Sequence, residues 1–414
     1  MHRTPPTRVS ALSLIAVGIA ALATVGLVAL RPSGPTPTAP ALSSFDAIYR
    51  ARIVERTERT CAGAEEGVKC VETAFRLVEG PDEGTVVRVE HPANSGRVGP
   101  LEVGQRVLLG HQPRVQGFEY VLLDPDRRMP LLALAAAFAL AVVILGGWRG
   151  VFALVGLIAT LLVLFLFVVP AIMRGQDPLL VSLVGSVVIA YAALYLSHGF
   201  NSRTTIALLG TLGGLGCAAL FATVFMALTH ITGFASEEAL YVSVVGSNID
   251  IRGLILGGMI IGALGAIDDM TVTQASAVWE LRAASPQISD RRLLRASMRI
   301  GQDHVASTVN TLVLAYAGAS LPLFILFVLS EQPTGVVANG EIVATEIVRT
   351  LVGSIGLVAS VPITTWLAVR TGRTRARHEP LMIPPREPEG EGPEEHPIPE
   401  HRRDVWAPWV RSRR

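Results

Sequence analysis

The sequence predicts an all-α polytopic membrane helix bundle of about eight spans, with a small β-rich domain outside the membrane after the first span. Three observations carry this. Half of the 414 residues are apolar. The mean hydropathy is +0.47, a value that water-soluble globular proteins seldom reach. Apolar runs of the length a bilayer core requires, about 20 residues, recur along the chain. The net charge of +1 gives no reason to expect a nucleic-acid partner.

The runs fall at 11–30, 130–148, 151–172, 179–197, 204–229, 253–273, 305–329 and 349–369. The first follows Arg3 and Arg8 and precedes "RPSGPTPTAPALSS". Its apolar stretch is long for a signal peptide, so 1–44 reads as an uncleaved anchor and linker. Arginines cluster on one side of the predicted bundle, at Arg149, Arg203, Arg282, Arg291, Arg292, Arg295 and Arg299. The other side holds fewer, among them Arg127, Arg128 and Arg174. The positive-inside bias then places both termini in the cytoplasm.

Residues 45–126 are the soluble segment, and this orientation makes them extracytoplasmic. Runs such as "GTVVRVEH", "QRVLLGHQ" and "FEYVLLD" are strand-length, β-branched and partly alternating. Five such runs in a short segment predict a small OB-like or SH3-like barrel. Cys61 and Cys70 lie in this segment, and a bridge between them suits an oxidising compartment. Such a bridge contributes roughly 3 kcal/mol on chain-entropy grounds. Cys217, in an apolar span, reads as a packing residue.

Residues 127–370 are then the helix bundle. The tail 371–414 contains "EPEGEGPEEHPIPEHRR", a composition that predicts disorder.

The chemistry concentrates in two spans. In "GALGAIDDMTVTQASAVWEL", Gly258, Gly262, Gly265 and Asp269 share one helical face, and small residues there predict close helix packing. Asp269, Thr273 and Ser276 continue that face, with Asp268 and Gln274 beside it. In "GQDHVASTVNTLVLAYAG", Asp303, Ser307 and Asn310 form a second stripe flanked by Thr311. The two spans are antiparallel neighbours, so the stripes are expected to face each other. A carboxylate at mid-bilayer costs about 3 kcal/mol on insertion scales, so it is expected to face a partner or a water-filled path. These residues are the predicted path for an ion or small solute. No HExxH, GxSxG or Walker loop is present, so neither an enzyme nor a metal or other cofactor is expected. Expected partners are the lipid bilayer, the solute and a second copy in a homo-oligomer.

At these residues the chain resembles the YibE/F family of multispanning bacterial membrane proteins. The likeness rests on "IIGALGAIDDMTVTQASAVWEL" and "SDRRLLRASMRIGQDHVASTVNTLVLAYAGASLP". Asp269, Thr273 and Ser276 match the first part of the pattern. Gly301, Asp303, Thr308, Asn310, Thr311, Ala315, Tyr316 and Gly318 match the second. Asp268 departs from it, since an apolar residue often stands there. The resemblance covers about 130–370. It implies a bundle in the bacterial plasma membrane, with Asp269 as the principal carboxylate, and it implies no substrate. A permease-like transporter is the leading expectation, and a membrane scaffold or sensor that binds a partner through its outer domain is the alternative.

Overall fold

The computed structural model describes residues 8–34, 45–60, 69–92, 101–115, 118–245 and 249–371. Cys61 and the expected tail from 372 onward lie outside the described residues.

Five antiparallel strands form where the alternation predicts them. They are β1 (Ala47–Thr60), β2 (Lys69–Leu77), β3 (Val86–Pro92), β4 (Arg106–Val115) and β5 (Phe118–Pro125). Their order is β3-β2-β1-β4-β5, and β3 returns to touch β5. Read around the sheet, the order is therefore β1-β2-β3-β5-β4. The long β1 serves both halves because it is bulged. Ile53 pairs with Phe75 and Glu55 with Ala74, leaving Val54 extra, and a bulge bends its strand.

Ile53, Phe75, Leu77, Val107 and Leu109 close the interior, each contributing about 1.5–3 kcal/mol of burial. Polar ties hold the β2–β3 turn. Arg50 Nε donates to Glu79 Oε2 at 2.7 Å, and the Tyr120 hydroxyl donates to Asp82 Oδ2 at 2.7 Å. The hydrogen bond from the Arg50 guanidinium holds the Glu79 carboxyl below the usual carboxylate range. Cys70, at the start of β2, is disulfide-bonded.

The rest is helical. α1 (Arg8–Ala29) precedes the sheet. α2 (Arg128–Val163) continues through a π-helical turn, Leu164–Val168, into α3 (Val169–Met173). Then come α4 (Pro178–His198), α5 (Ser202–Leu228), α6 (Glu237–Val245) and α7 (Ile251–Ala284). α8 (Asp290–Ala319), α9 (Leu321–Leu329), α10 (Thr334–Asn339) and α11 (Glu341–Thr371) complete the described chain.

Two helix starts are written locally. Asp177 accepts from the Leu180 amide at 2.9 Å with Pro178 behind it, and Asn201 accepts from the Thr204 amide at 3.0 Å.

Among the described residues, six helices are long and apolar enough to cross a membrane, or seven if α8 and α9 count as one bent span. Arg128–Met173 counts there as one helix of 46 residues. It is interrupted at Gly147, whose φ of 54° and ψ of −137° are non-helical and suit glycine alone among common residues. A methyl group on Gly150 would lie 3.0 Å from the Val142 carbonyl carbon and 3.3 Å from Val143 Cα. In a straight helix, residues eight apart are about 12 Å apart along the axis, so the chain turns sharply here. The span expected at 305–329 is bent by 62° between α8 and α9. Pro322 explains the break, because its ring displaces the carbonyl four residues back and it has no amide to donate.

The bundle centres on α5, α7 and α11. A methyl on Gly356 would stand 3.0 Å from the Gly214 carbonyl oxygen, and one on Gly214 would stand 2.8 Å from that of Gly356. The α5 and α11 backbones are therefore in direct contact, with Ile267 of α7 closing the third side. These three residues lie within a residue of the middle of their helices.

α4 packs on α7 where Gly257 meets Ser182, and α8 docks where Gly301 meets Gln274 and Val361. The Glu341 carboxylate accepts from the Thr232 and Gly233 amides at 2.8 and 2.6 Å, tying the α5–α6 connection to the start of α11.

Candidate functional site

The middle of α7 turns its two acids in different directions, because neighbours on a helix point about 100° apart. The buried side of α7 carries Ile260, Ala263, Ile267, Thr271 and Gln274, all packed into the bundle. Asp268 lies at the edge of that side. Its Oδ1 is buried and has no hydrogen-bond partner among the described residues. The Thr211 hydroxyl of α5 is close enough to interact with the Asp268 carboxyl. Among the described residues, no ion pair reaches Asp268. Asp269 faces away from the bundle and is exposed.

Around Asp268 the bundle holds a layer of hydroxyls and one amide. Thr211 and Thr271 share a hydrogen bond of 2.7 Å, and the Thr271 hydroxyl also reaches the Asp268 carbonyl at 2.9 Å. Ser360 and Thr364 of α11 are fully buried nearby, Thr364 standing against Gly210 of α5. Toward the C-terminal end of α7, Gln274 Nε2 donates to the Ser297 carbonyl at 2.9 Å and to Thr365 Oγ1 at 2.7 Å. Gln274 is thus a well-anchored strut joining α7, α8 and α11, and the Ser297 hydroxyl beside it is buried without a partner among the described residues.

The other predicted residues are placed differently. Thr273 is half-buried, and its hydroxyl donates back to the Asp269 carbonyl at 2.9 Å, a bond within its own helix. Ser276 is half-buried. Asp303, Ser307, Asn310 and Thr311 are all exposed, and the Thr311 hydroxyl serves its own helix at the Ser307 carbonyl. The reason is helical phase. α8 buries Gly301, and positions two, six and nine residues on lie about 180–240° around the axis. The α8 stripe therefore points away from the bundle, and so does Asp269. The expected confrontation of the two stripes does not occur in one chain.

The glycine face also needs correction. Gly258 and Gly265 have open space beside them, and Gly262 approaches only the Tyr316 hydroxyl. The packing glycine of α7 in this stretch is Gly257, with Gly210, Gly214 and Gly356 on the partner helices. A span that is apolar nearly all round carries no periodicity to set its phase, so sequence alone does not separate these faces.

Two arginines inside long helices extend the polar set. Arg282 Nη2 pairs with Asp290 at 2.9 Å and its Nη1 donates to the Ile288 carbonyl at 3.0 Å, bracing the α7–α8 connection. Arg349 pairs with Glu346 at 2.9 Å beside Tyr316. The i, i+3 spacing was the signal for the second pair. Thr211, Thr271, Ser360 and Thr364 leave only isolated hydroxyls in apolar runs, and the layer appears once the helices are assembled.

A carboxyl among hydroxyls, with no cationic side chain paired to it among the described residues, is chemistry for a proton or a small monovalent cation. Divalent cations call for several oxygen ligands with more charge. Among the described residues, no three His, Cys, Asp or Glu converge as such a ligand set.

Among curated proteins and among solved structures, nothing matches this chain. The family described as YibE/F-like protein matches residues 134–373, which takes in nearly all of α2 and every later helix and leaves out α1 and the β sheet.

Proposed function

The chain belongs to the YibE/F-like protein family, and on that premise we propose that it is an eight-pass permease-like transporter for an ion or small solute, with Asp268 as its central carboxylate. The observation that carries the reading is the orphaned Asp268 oxygen at the middle of α7, among hydroxyls of α5 and α11. Unpaired buried carboxyl oxygens are expensive, and in membrane bundles they mark ion paths.

Eight passes follow if Arg128–Met173 counts as two and α8–α9 as one. A straight helix of 46 residues would rise about 69 Å, more than twice the roughly 30 Å of hydrocarbon, and Gly147 divides it. Arginine bias supports cytoplasmic termini and an extracytoplasmic β domain. The disulfide at Cys70 supports the same orientation.

The test is ion or proton flux in reconstituted vesicles. Asp268→Asn is expected to insert and fold yet lose at least ten-fold of the flux, while Asp269→Asn retains most of it. Wild-type flux from folded Asp268→Asn overturns the assignment.

A second reading is supported by the β sheet. Its circular strand order fits an OB-like barrel, a fold that often binds ligands. In that reading the helices anchor a sensor or scaffold, and deleting 45–126 abolishes function whereas Asp268→Asn is silent.

A further inference from the structure

A lateral groove of about 810 Å³ opens between α1 and α4 and ends at the start of α5. That volume falls in the range of small-molecule sites. Val17 and Ala20 form one wall, and Val188 and Ala192 form the other. Tyr191, Tyr195 and Phe200 add aromatic rings, and Ser13, one turn before Val17 on α1, is the one polar side chain of these walls.

Both tyrosine hydroxyls are already committed. Tyr191 donates to the Ala16 carbonyl of α1, and Tyr195 bonds with Thr205 Oγ1 at 3.0 Å. Tyr195 also stacks on Phe200 with ring centroids 4.6 Å apart. The rings therefore offer apolar faces to the groove and no free donor along its length.

One end differs. Asn201, Ser202 and Thr205 line it, and α5 begins there. The Asn201 side chain takes the Thr204 amide, which leaves the amides of Ser202 and Arg203 as first-turn donors without a helical acceptor. Such donors together with the helix dipole favour an anion. The groove is thus apolar along its walls and anion-favouring at one tip, which is the pattern of an amphiphile. The walls belong to helices of membrane-spanning length and composition, so its surroundings are lipid.

We propose that this groove binds one phospholipid of the cytoplasmic leaflet, one of its two acyl chains between α1 and α4 and its phosphate at the first turn of α5. The proposal rests on the membrane orientation given above and not on transport. All three elements agree on the leaflet: the N-terminal half of α1, the C-terminal half of α4 and the start of α5 lie on the cytoplasmic side in that orientation. The site gives α1, which has few buried residues of its own, a lipid mortar against the bundle.

The test is native mass spectrometry of the full chain in detergent, titrated with dioleoylphosphatidylglycerol. Wild type is expected to show a first binding step at least ten-fold tighter than later ones. Ala192→Trp fills the groove from α4, and Val17→Trp fills it from α1. Each should weaken the first step by ten-fold or more, and Gly216→Leu, on an open face of α5, should leave it unchanged. With two variants from opposite walls, a folding failure in one leaves the other to report. Dioleoylglycerol, which lacks the phosphate, should bind at least ten-fold more weakly. No distinct first step in wild type, or an unchanged one in a folded Trp variant, overturns the site. Equal binding of dioleoylglycerol overturns the phosphate position. Either result leaves the flux assay, and so the transport reading, unaffected.

Discussion

Asp268 and Asp269 are adjacent in the chain and opposite in environment: one buries a carboxyl oxygen against α5, and the other points out of the bundle. Stability should separate them. Asp268→Asn replaces a buried, unpartnered oxygen with an amide and removes a potential charge. Detergent-solubilised protein is expected to melt at or above the wild-type temperature, by up to about 1 kcal/mol of added stability. Asp269→Asn should move it by less than about 0.5 kcal/mol. A loss of stability in Asp268→Asn would show that the carboxylate has a partner, and thermal unfolding followed by circular dichroism reads the difference.

The glycines divide in the same way. Gly356→Ala drives a methyl into Ala218 and the Gly214 carbonyl, 2.7 and 3.0 Å away. Backbone cannot yield as a side-chain tip can, so a loss of about 1–3 kcal/mol is expected. Gly258→Ala and Gly265→Ala meet open space and should be neutral or slightly stabilising, through helix propensity. Comparing the three unfolding midpoints checks which face of α7 packs. Destabilisation by Gly258→Ala would restore the glycine stripe as an interface, this time with a second copy.

That contrast shows what the sequence makes legible. All five strands follow from β-branched alternation, because a half-buried strand writes its phase into the residues. The spans follow from length and apolarity. The phase of each span does not, because α7 is apolar on most sides and only its contact with Gly214 and Gly356 decides that Ile267 faces inward. Once Ile267 is fixed, Asp268 falls beside Thr211 and Asp269 falls outside. The bend after Ala319 was legible in Pro322 and was outweighed by the continuous apolar run around it.

Gln274 offers a third test. Gln274→Leu keeps the volume and removes both donated bonds, leaving the Ser297 carbonyl and Thr365 without that partner. The expected loss is about 1–3 kcal/mol. Thr365→Val should cost less on its own, because Gln274 keeps the Ser297 carbonyl. Less-than-additive losses in the double variant would confirm that the two act as one joint.

The β domain should carry an acid-sensitive tie. The Glu79 carboxyl is held below its ordinary range by the Arg50 hydrogen bond. A depressed folded-state value means the contribution is fully present above the unfolded value, about 4.3. It is lost as pH falls through the lower folded value. The melting temperature of wild type should therefore fall more steeply below pH 5 than that of Glu79→Gln. Parallel curves would show that the pair contributes nothing to stability.

The backbone contact between Gly214 and Gly356 also limits how the molecule can move. At the Gly214–Gly356 crossing backbone meets backbone, so no change of rotamer there can open a gap and let α5 slide over α11. A shift of a single residue, about 1.5 Å along the axis, would bring a side chain into that crossing, where a methyl on either glycine already meets the other's carbonyl at 2.8–3.0 Å. The two helices must therefore travel together, with α7 keyed against both through Ile267. If access to Asp268 alternates between the two sides of the membrane, the seam acts as a fixed keel. The strokes then fall to the parts hung around it: α1 in its lipid-lined groove and the bent arm of α8 and α9.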